Sequence, residues 1–189
     1  MVDALRGNAS RDPIEWTATP AGASQLGFAV PAANLGPLEA ACGASTWRCV
    51  VEAPSWAALD VPAAGAPRIG IGDADRSATA LASLAAAAAG YFDDPRMTSS
   101  SFGADPGFGP WLRRLARSVP PSALSGGTPL RTMLTRPSAV NVAAASAADI
   151  AQLSAANAAA VGVNYPAPAM WLQAVVATPA GAALPDGLA

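Results

Sequence analysis

Residues 68–90 read RIGIGDADRSATALASLAAAAAG, a short apolar strand that runs through an acidic turn into a long alanine-rich helix. Ile69 and Ile71 are β-branched residues set among glycines, as in a buried strand. From Ser77 small apolar residues take over at helical length, and Gly90 stands where a helix would stop at a C′ residue. A strand that turns directly into a helix leaves the first N–H groups of that helix without intrahelical acceptors. Those groups, with the hydroxyls of Ser77 and Thr79 beside them, suit an anion. Capping by Asp75 or Ser77 suits them equally.

Working outward, LGFAV (26–30) reads as a strand, NLGPLEAAC as a short helix capped by Asn34 with Pro37 in its first turn, and RCVVEA (48–53) as a second short strand. PSWAAL is one helical turn with Ser55 as its N-cap. Downstream, YFDDPRMTSSSFGADPGF (91–108) is loop-like, a lid or a connection. GPWLRRLARSV and TPLRTMLTR read as helices, AVNVAAAS as a strand, ADIAQLSAANAA as a helix, and AVGVNYPA and MWLQAVVAT as closing strands. This alternation predicts an α/β fold, a mainly parallel mixed sheet flanked by helices. The polar residues 1–15 read as a flexible segment ahead of one domain over residues 16–189.

Composition narrows the function. A hydrophobic content of 52% is too high for a disordered chain. All basic residues are arginine, a bias that with the alanine runs reads as coding in a GC-rich genome of actinobacterial type. A net charge of −2 without a run of four basic residues lacks the footprint of a nucleic-acid binder. The densest basic spot, Arg113, Arg114 and Arg117, has the spacing of a solvated helix face. No stretch of 18 apolar residues is present, and the charged N-terminus lacks the apolar run of a signal peptide.

The chain has no histidine, so Ser-His-Asp and Cys-His sites are excluded within it. GIGDADRS lacks the lysine of a phosphate loop, which argues against nucleotide binding. The pairs Asp73 with Asp75 and Asp93 with Asp94 lie in turns that their side chains would form. The expectation is therefore a non-enzymatic protein with no cofactor and no metal. Cys42 and Cys49 in CGASTWRC fit neither a zinc site nor a redox C-x-x-C. A disulfide remains the reading, with roughly 2.5 kcal/mol from chain entropy and an oxidising compartment. Trp56, Trp111 and Trp171 occupy apolar positions and read as core, whereas Trp47, inside the cysteine loop, reads as exposed.

PSWAAL, the VPAAGAP linker and RIGIGDADRSATALASLAA together resemble a segment of the type II periplasmic substrate-binding proteins, in which a helical turn with Trp leads to a strand, an Asp turn and a helix opening with Ser and Thr. LRTMLTRPSAVNVAAASAADIAQL is similar to that family's helix and returning strand, and AVGVNYPAPAMWLQAVVAT to its closing strands. The likeness spans about residues 16–180. It implies a two-lobed solute-binding fold in which the turn from Asp73 to Thr79, with Arg76 and Ser77, faces a cleft, and Asn164 and Tyr165 lie on the strand that closes it. Ala74 stands where the family has proline and Ala80 where it has glycine, and the family's opening strands have no counterpart before Trp16. The chain so reads as one lobe plus hinge strands, cut from a longer parent that supplies any membrane anchor. The function this implies is an extracytoplasmic, periplasmic or cell-surface domain holding a small polar or anionic solute. The alternative is a ligand-free domain of the same fold that docks a cell-envelope protein.

Overall fold

The structure, a computed structural model, describes residues 16–43, 46–121 and 128–179. The expected flexible segment, residues 1–15, lies outside them. The described residues fall into two compact units, 16–24 with 171–179, and those between 25 and 170.

The larger unit is α/β. Strand β1 (Trp16–Pro31) enters it and is followed by helices α1 (Ala32–Cys42) and α2 (Thr46–Glu52), a 3-10 turn (Trp56–Leu59) and β2 (Ile69–Gly70). Then come α3 (Ala78–Phe92), α4 (Ser99–Ala104), α5 (Phe108–Ser118), α6 (Pro129–Thr135), β3 (Val142–Ser146), α7 (Ala147–Ala151), α8 (Ala155–Ala159) and β4 (Val161–Asn164). Across the sheet the order is β2-β3-β1-β4. β2 is parallel to β3, while β1 runs antiparallel to both β3 and β4. The sheet is therefore mixed but not mainly parallel as expected: β2, β3 and β4 share one direction, and β1, inserted against them, makes its pairings with β3 and β4 antiparallel.

Strand alternation distributes the core over both faces. Phe28, Val30, Val142 and Ala144 point into the larger cluster with Leu38, Trp47, Val50, Trp56, Leu115 and the buried face of α3. Ala29 and Ala143, one residue out of phase, point into a smaller cluster with Leu130, Met133 and Val161. Helices thus cover the sheet on its two sides.

Several expected elements are corrected. RCVVEA belongs to a helix, α2, because its apolar residues are adjacent rather than alternate: Val50 and Val51 are both buried, on one helical face. Arg48 and Glu52, one turn apart, pair at 3.1 Å. The residue expected to cap α1, Asn34, lies inside the helix and is buried, since α1 starts at Ala32 directly from β1. Gly90 does not end α3. The helix continues to Phe92, and Asp93 adopts the left-handed conformation at φ 52°. Gly90 serves packing instead, because a Cβ there would lie 3.2 Å from that of Trp47. ADIAQLSAANAA forms two short helices, α7 and α8, each opened by its own serine cap, Ser146 and Ser154.

Half of the segment 91–108 is helical, in the end of α3, in α4 and at the start of α5. Phe102 on α4 stacks on Phe108 at 4.9 Å and on Phe92 at 5.8 Å, and so ties α4 to the ends of α3 and α5. Beneath, burial and then the Asp105 carboxylate push the Tyr91 hydroxyl above its ordinary range, and the Arg48 guanidinium lies 4.8 Å from the ring centre. Trp47, expected outside, is 1% exposed and fully in the core. Trp56 and Trp111 are buried as expected.

Cys42 at the end of α1 and Cys49 in α2 are disulfide-bonded, with Cα atoms 5.6 Å apart. The unreduced chain is expected to weigh two hydrogens less than the reduced one in intact-mass measurement. Replacing both cysteines with serine should cost roughly 2.5 kcal/mol in chemical denaturation; an unchanged mass would remove the argument for an oxidising compartment.

The described part of the smaller unit is a ribbon. β5 (Met170–Pro179) pairs with β1. Trp171, expected in the core, is 58% exposed here, because among the described residues no second layer covers the ribbon.

Candidate functional site

The register places the ends of the parallel strands together. β1 pairs Leu26 with Ser146 and Phe28 with Asn164, and β2 pairs Ile69 with Val142. The carboxyl ends of β2, β3 and β4 therefore lie at one edge, the edge where open α/β sheets hold ligands. All the residues expected to form a site lie there: Asp73, Arg76, Ser77 and Thr79 after β2, and Asn164 and Tyr165 at and after the end of β4. They form two groups. Two strands separate β2 from β4, and three spacings of about 4.8 Å put the groups about 14 Å apart, so one small solute cannot touch both.

At the end of β2 the turn is held by its own side chains. Asp73 Oδ1 accepts the N–H of Asp75 at 3.0 Å, and Arg76 Nε lies 3.5 Å from Asp73 Oδ2. The arginine side chain is 86% exposed, so this ion pair contributes little. Ser77 is the N-cap of α3, its hydroxyl accepting the N–H of Ala80 at 3.2 Å. The N–H of Leu81 reaches the Ser77 carbonyl. Among the described residues the N–H groups of Ala78 and Thr79 find no acceptor, and they open outward at the positive end of a 15-residue helix.

At the end of β4, Asn164 donates from Nδ2 to Glu39 Oε1 at 3.0 Å, while its Oδ1 is buried without a partner. Tyr165 is 40% exposed. Between the two groups, Ser146 and Asp149 satisfy one another: the carboxylate accepts the Ser146 N–H at 2.8 Å and its hydroxyl at 2.7 Å.

No protein family matches this chain, and no curated protein or solved structure matches it.

Beside the same edge lies a cleft of about 610 Å³ between α6 and the α7–α8 pair. Its polar lining comes from Thr128, Arg131, Thr135, Asp149, Ser154 and Asn157. Pro129 packs over Gly70 and Gly72, 2.9 and 4.0 Å from where their Cβ atoms would stand, so α6 starts against the end of β2. Thr128 and Asp149 are engaged in capping α6 and α7. The Arg131 guanidinium has no ion pair among the described residues and supplies the cleft's free cationic group. Sequence reasoning passed over Arg131. The one available signal was an arginine in TPLRTMLTR without an acidic residue three or four positions away.

Among the described residues no three His, Cys, Asp or Glu side chains group as metal ligands. Among the same residues no helix is long and apolar enough to cross a membrane.

Proposed function

We propose that the chain is a non-enzymatic solute-binding lobe that holds a small polar or anionic ligand where α3 and α6 begin, beside the end of β2. The observation that carries this reading is that the carboxyl edge of three strands of one direction bears the free N–H groups of α3 and, packed over Gly70 and Gly72, the start of α6, whose far side lines a polar cleft with Arg131, unpaired among the described residues. On it, Asp73, Arg76, Ser77 and Thr79 form one wall of the site, while Asn164 and Tyr165 mark the far end of the ligand edge. The disulfide is compatible with an extracytoplasmic location.

One observation favours a second reading, a cell-envelope interaction domain that keeps the fold without a ligand. The groups expected to hold solute are bonded to one another: Asp73 with Arg76, Ser77 with the backbone of Ala80, and Asn164 with Glu39.

A thermal-shift screen against phosphate, sulfate, amino acids, sugars and polyamines separates the two. A saturating anion at a hundred times its Kd is expected to stabilise the chain by about 2.7 kcal/mol. In Ser77→Asp the helix keeps a good cap, yet a carboxylate replaces the hydroxyl beside the anion, so the fold should remain and the shift vanish. Arg131→Ala should weaken the same ligand. An undiminished shift in Ser77→Asp would remove the proposed site, and no shift across the panel would leave the interaction domain.

A further inference from the structure

At the opposite edge of the sheet, where β2 begins, a second cleft of about 730 Å³ lies between the end of α2, the approach to β2 and the end of α5. Its apolar lining includes Val50, Pro54, Pro67 and Val119. A smaller cleft of about 370 Å³ shares Glu52, Ala53 and Pro54 with it and adds Arg48 and Leu59. The two adjoin at these shared residues as one trough, lined by Arg48, Arg68, Arg114 and Arg117 with Glu52 as its carboxylate. In a chain of net charge −2 this is a concentrated positive surface.

Three of these arginines are not used up by the fold. Arg48 pairs with Glu52 at 3.1 Å and so cancels the trough's acidic group. Arg68 is fixed in place, its N–H donating to Asn141 Oδ1 at 2.7 Å and one guanidinium nitrogen donating to the Ser138 carbonyl. The rest of its fork stays open. Arg114 and Arg117, one turn apart on the exposed side of α5, have no ion pair among the described residues.

We propose that this trough docks an extended acidic peptide of a partner protein, with apolar side chains against the exposed Pro54 and half-buried Val119 and carboxylates on Arg68, Arg114 and Arg117. Planar guanidinium forks suit carboxylates, which they bind through two parallel hydrogen bonds. The concavity of the joined clefts fits a peptide better than the flat headgroup plane of a membrane. The trough lies at the opposite edge from the proposed solute site, so either proposal can fail without the other.

The test is selection from a displayed library of random eight-residue peptides with the whole chain as bait, followed by fluorescence anisotropy on the enriched sequence. Peptides with Asp or Glu interleaved with apolar residues are expected to enrich, and their binding should weaken with salt. In Arg114→Ala/Arg117→Ala the affinity should fall about tenfold or more. It should be unchanged in Arg113→Ala, which alters the same helix outside the trough. Arg114→Lys keeps the charge without the fork and should fall between. No enrichment, enrichment of neutral or basic peptides, or equal affinity in the double variant overturns the proposal. Sedimentation with pure phosphatidylglycerol vesicles but not phosphatidylcholine vesicles, without peptide enrichment, overturns it in favour of a membrane surface.

Discussion

Trp47→Ala is expected to lower the stability of this chain by about 3–5 kcal/mol, a fall in Tm of roughly 10 °C or more. The indole is 1% exposed and meets Phe28 of β1 edge-on, with ring centres 5.1 Å apart and planes at 71°. On its other side α3 comes close enough that a Cβ on Gly90 would stand 3.2–3.3 Å from Trp47 atoms. Alanine would leave a cavity between sheet and helix that neither backbone can close. Trp47 Nε1 is buried without a partner, so the side chain acts by packing. Trp47→Phe should accordingly recover a good part of the loss, in urea unfolding followed by circular dichroism. A Trp47→Ala chain within about 1 kcal/mol of the parent would mean that α2 does not pack as described.

The second large effect is expected at Gly27, in β1. A Cβ there would fall on the backbone carbonyl oxygen of Asn164 and stand 2.9 Å from Tyr165 Cδ1. A flexible side chain can move away from such an intrusion, but a backbone carbonyl at the end of a paired strand can do so only by breaking the β1–β4 register. Gly27→Ala should therefore exceed the ordinary overpacking cost of about 1–3 kcal/mol. Gly103→Ala gives the internal comparison. Gly103 lies inside α4 with nothing within 4 Å of an added Cβ. The same substitution there should raise stability by about 0.5–1 kcal/mol, because alanine loses less backbone entropy in a helix. Equal effects at the two positions in chemical denaturation would contradict the close approach of β4 to β1.

Arg131 and the arginine trough share a reason for being hard to see in sequence. Arg131 comes beside Asp149 and Asn157 only when α6 lies against α7 and α8. Arg68 and Arg114, 46 positions apart, line one cleft because the approach to β2 and the end of α5 meet there. Neither relation has a periodicity, so neither leaves a mark in a local window. Ser77 is the contrasting case, since its capping bond reaches only three residues along the chain.

What the sequence determined by itself is therefore local. Ser55 and Ser77 start their helical segments, because each hydroxyl accepts an N–H three residues on and needs no other partner. The β-branched Ile69 and Ile71 are buried around β2, the spacing of Trp111 and Leu115 makes a helix, and the cysteines, seven positions apart, are joined. Tertiary structure alone decided that RCVVEA coils, that Gly90 continues a helix, that Trp47 is inside and Trp171 outside, and that β1 runs against the strands beside it. The physical reason is one of range. A hydrogen-bonded cap or a bridge over a few residues closes within the segment that encodes it, whereas burial and strand direction depend on which distant surface arrives to cover an apolar face.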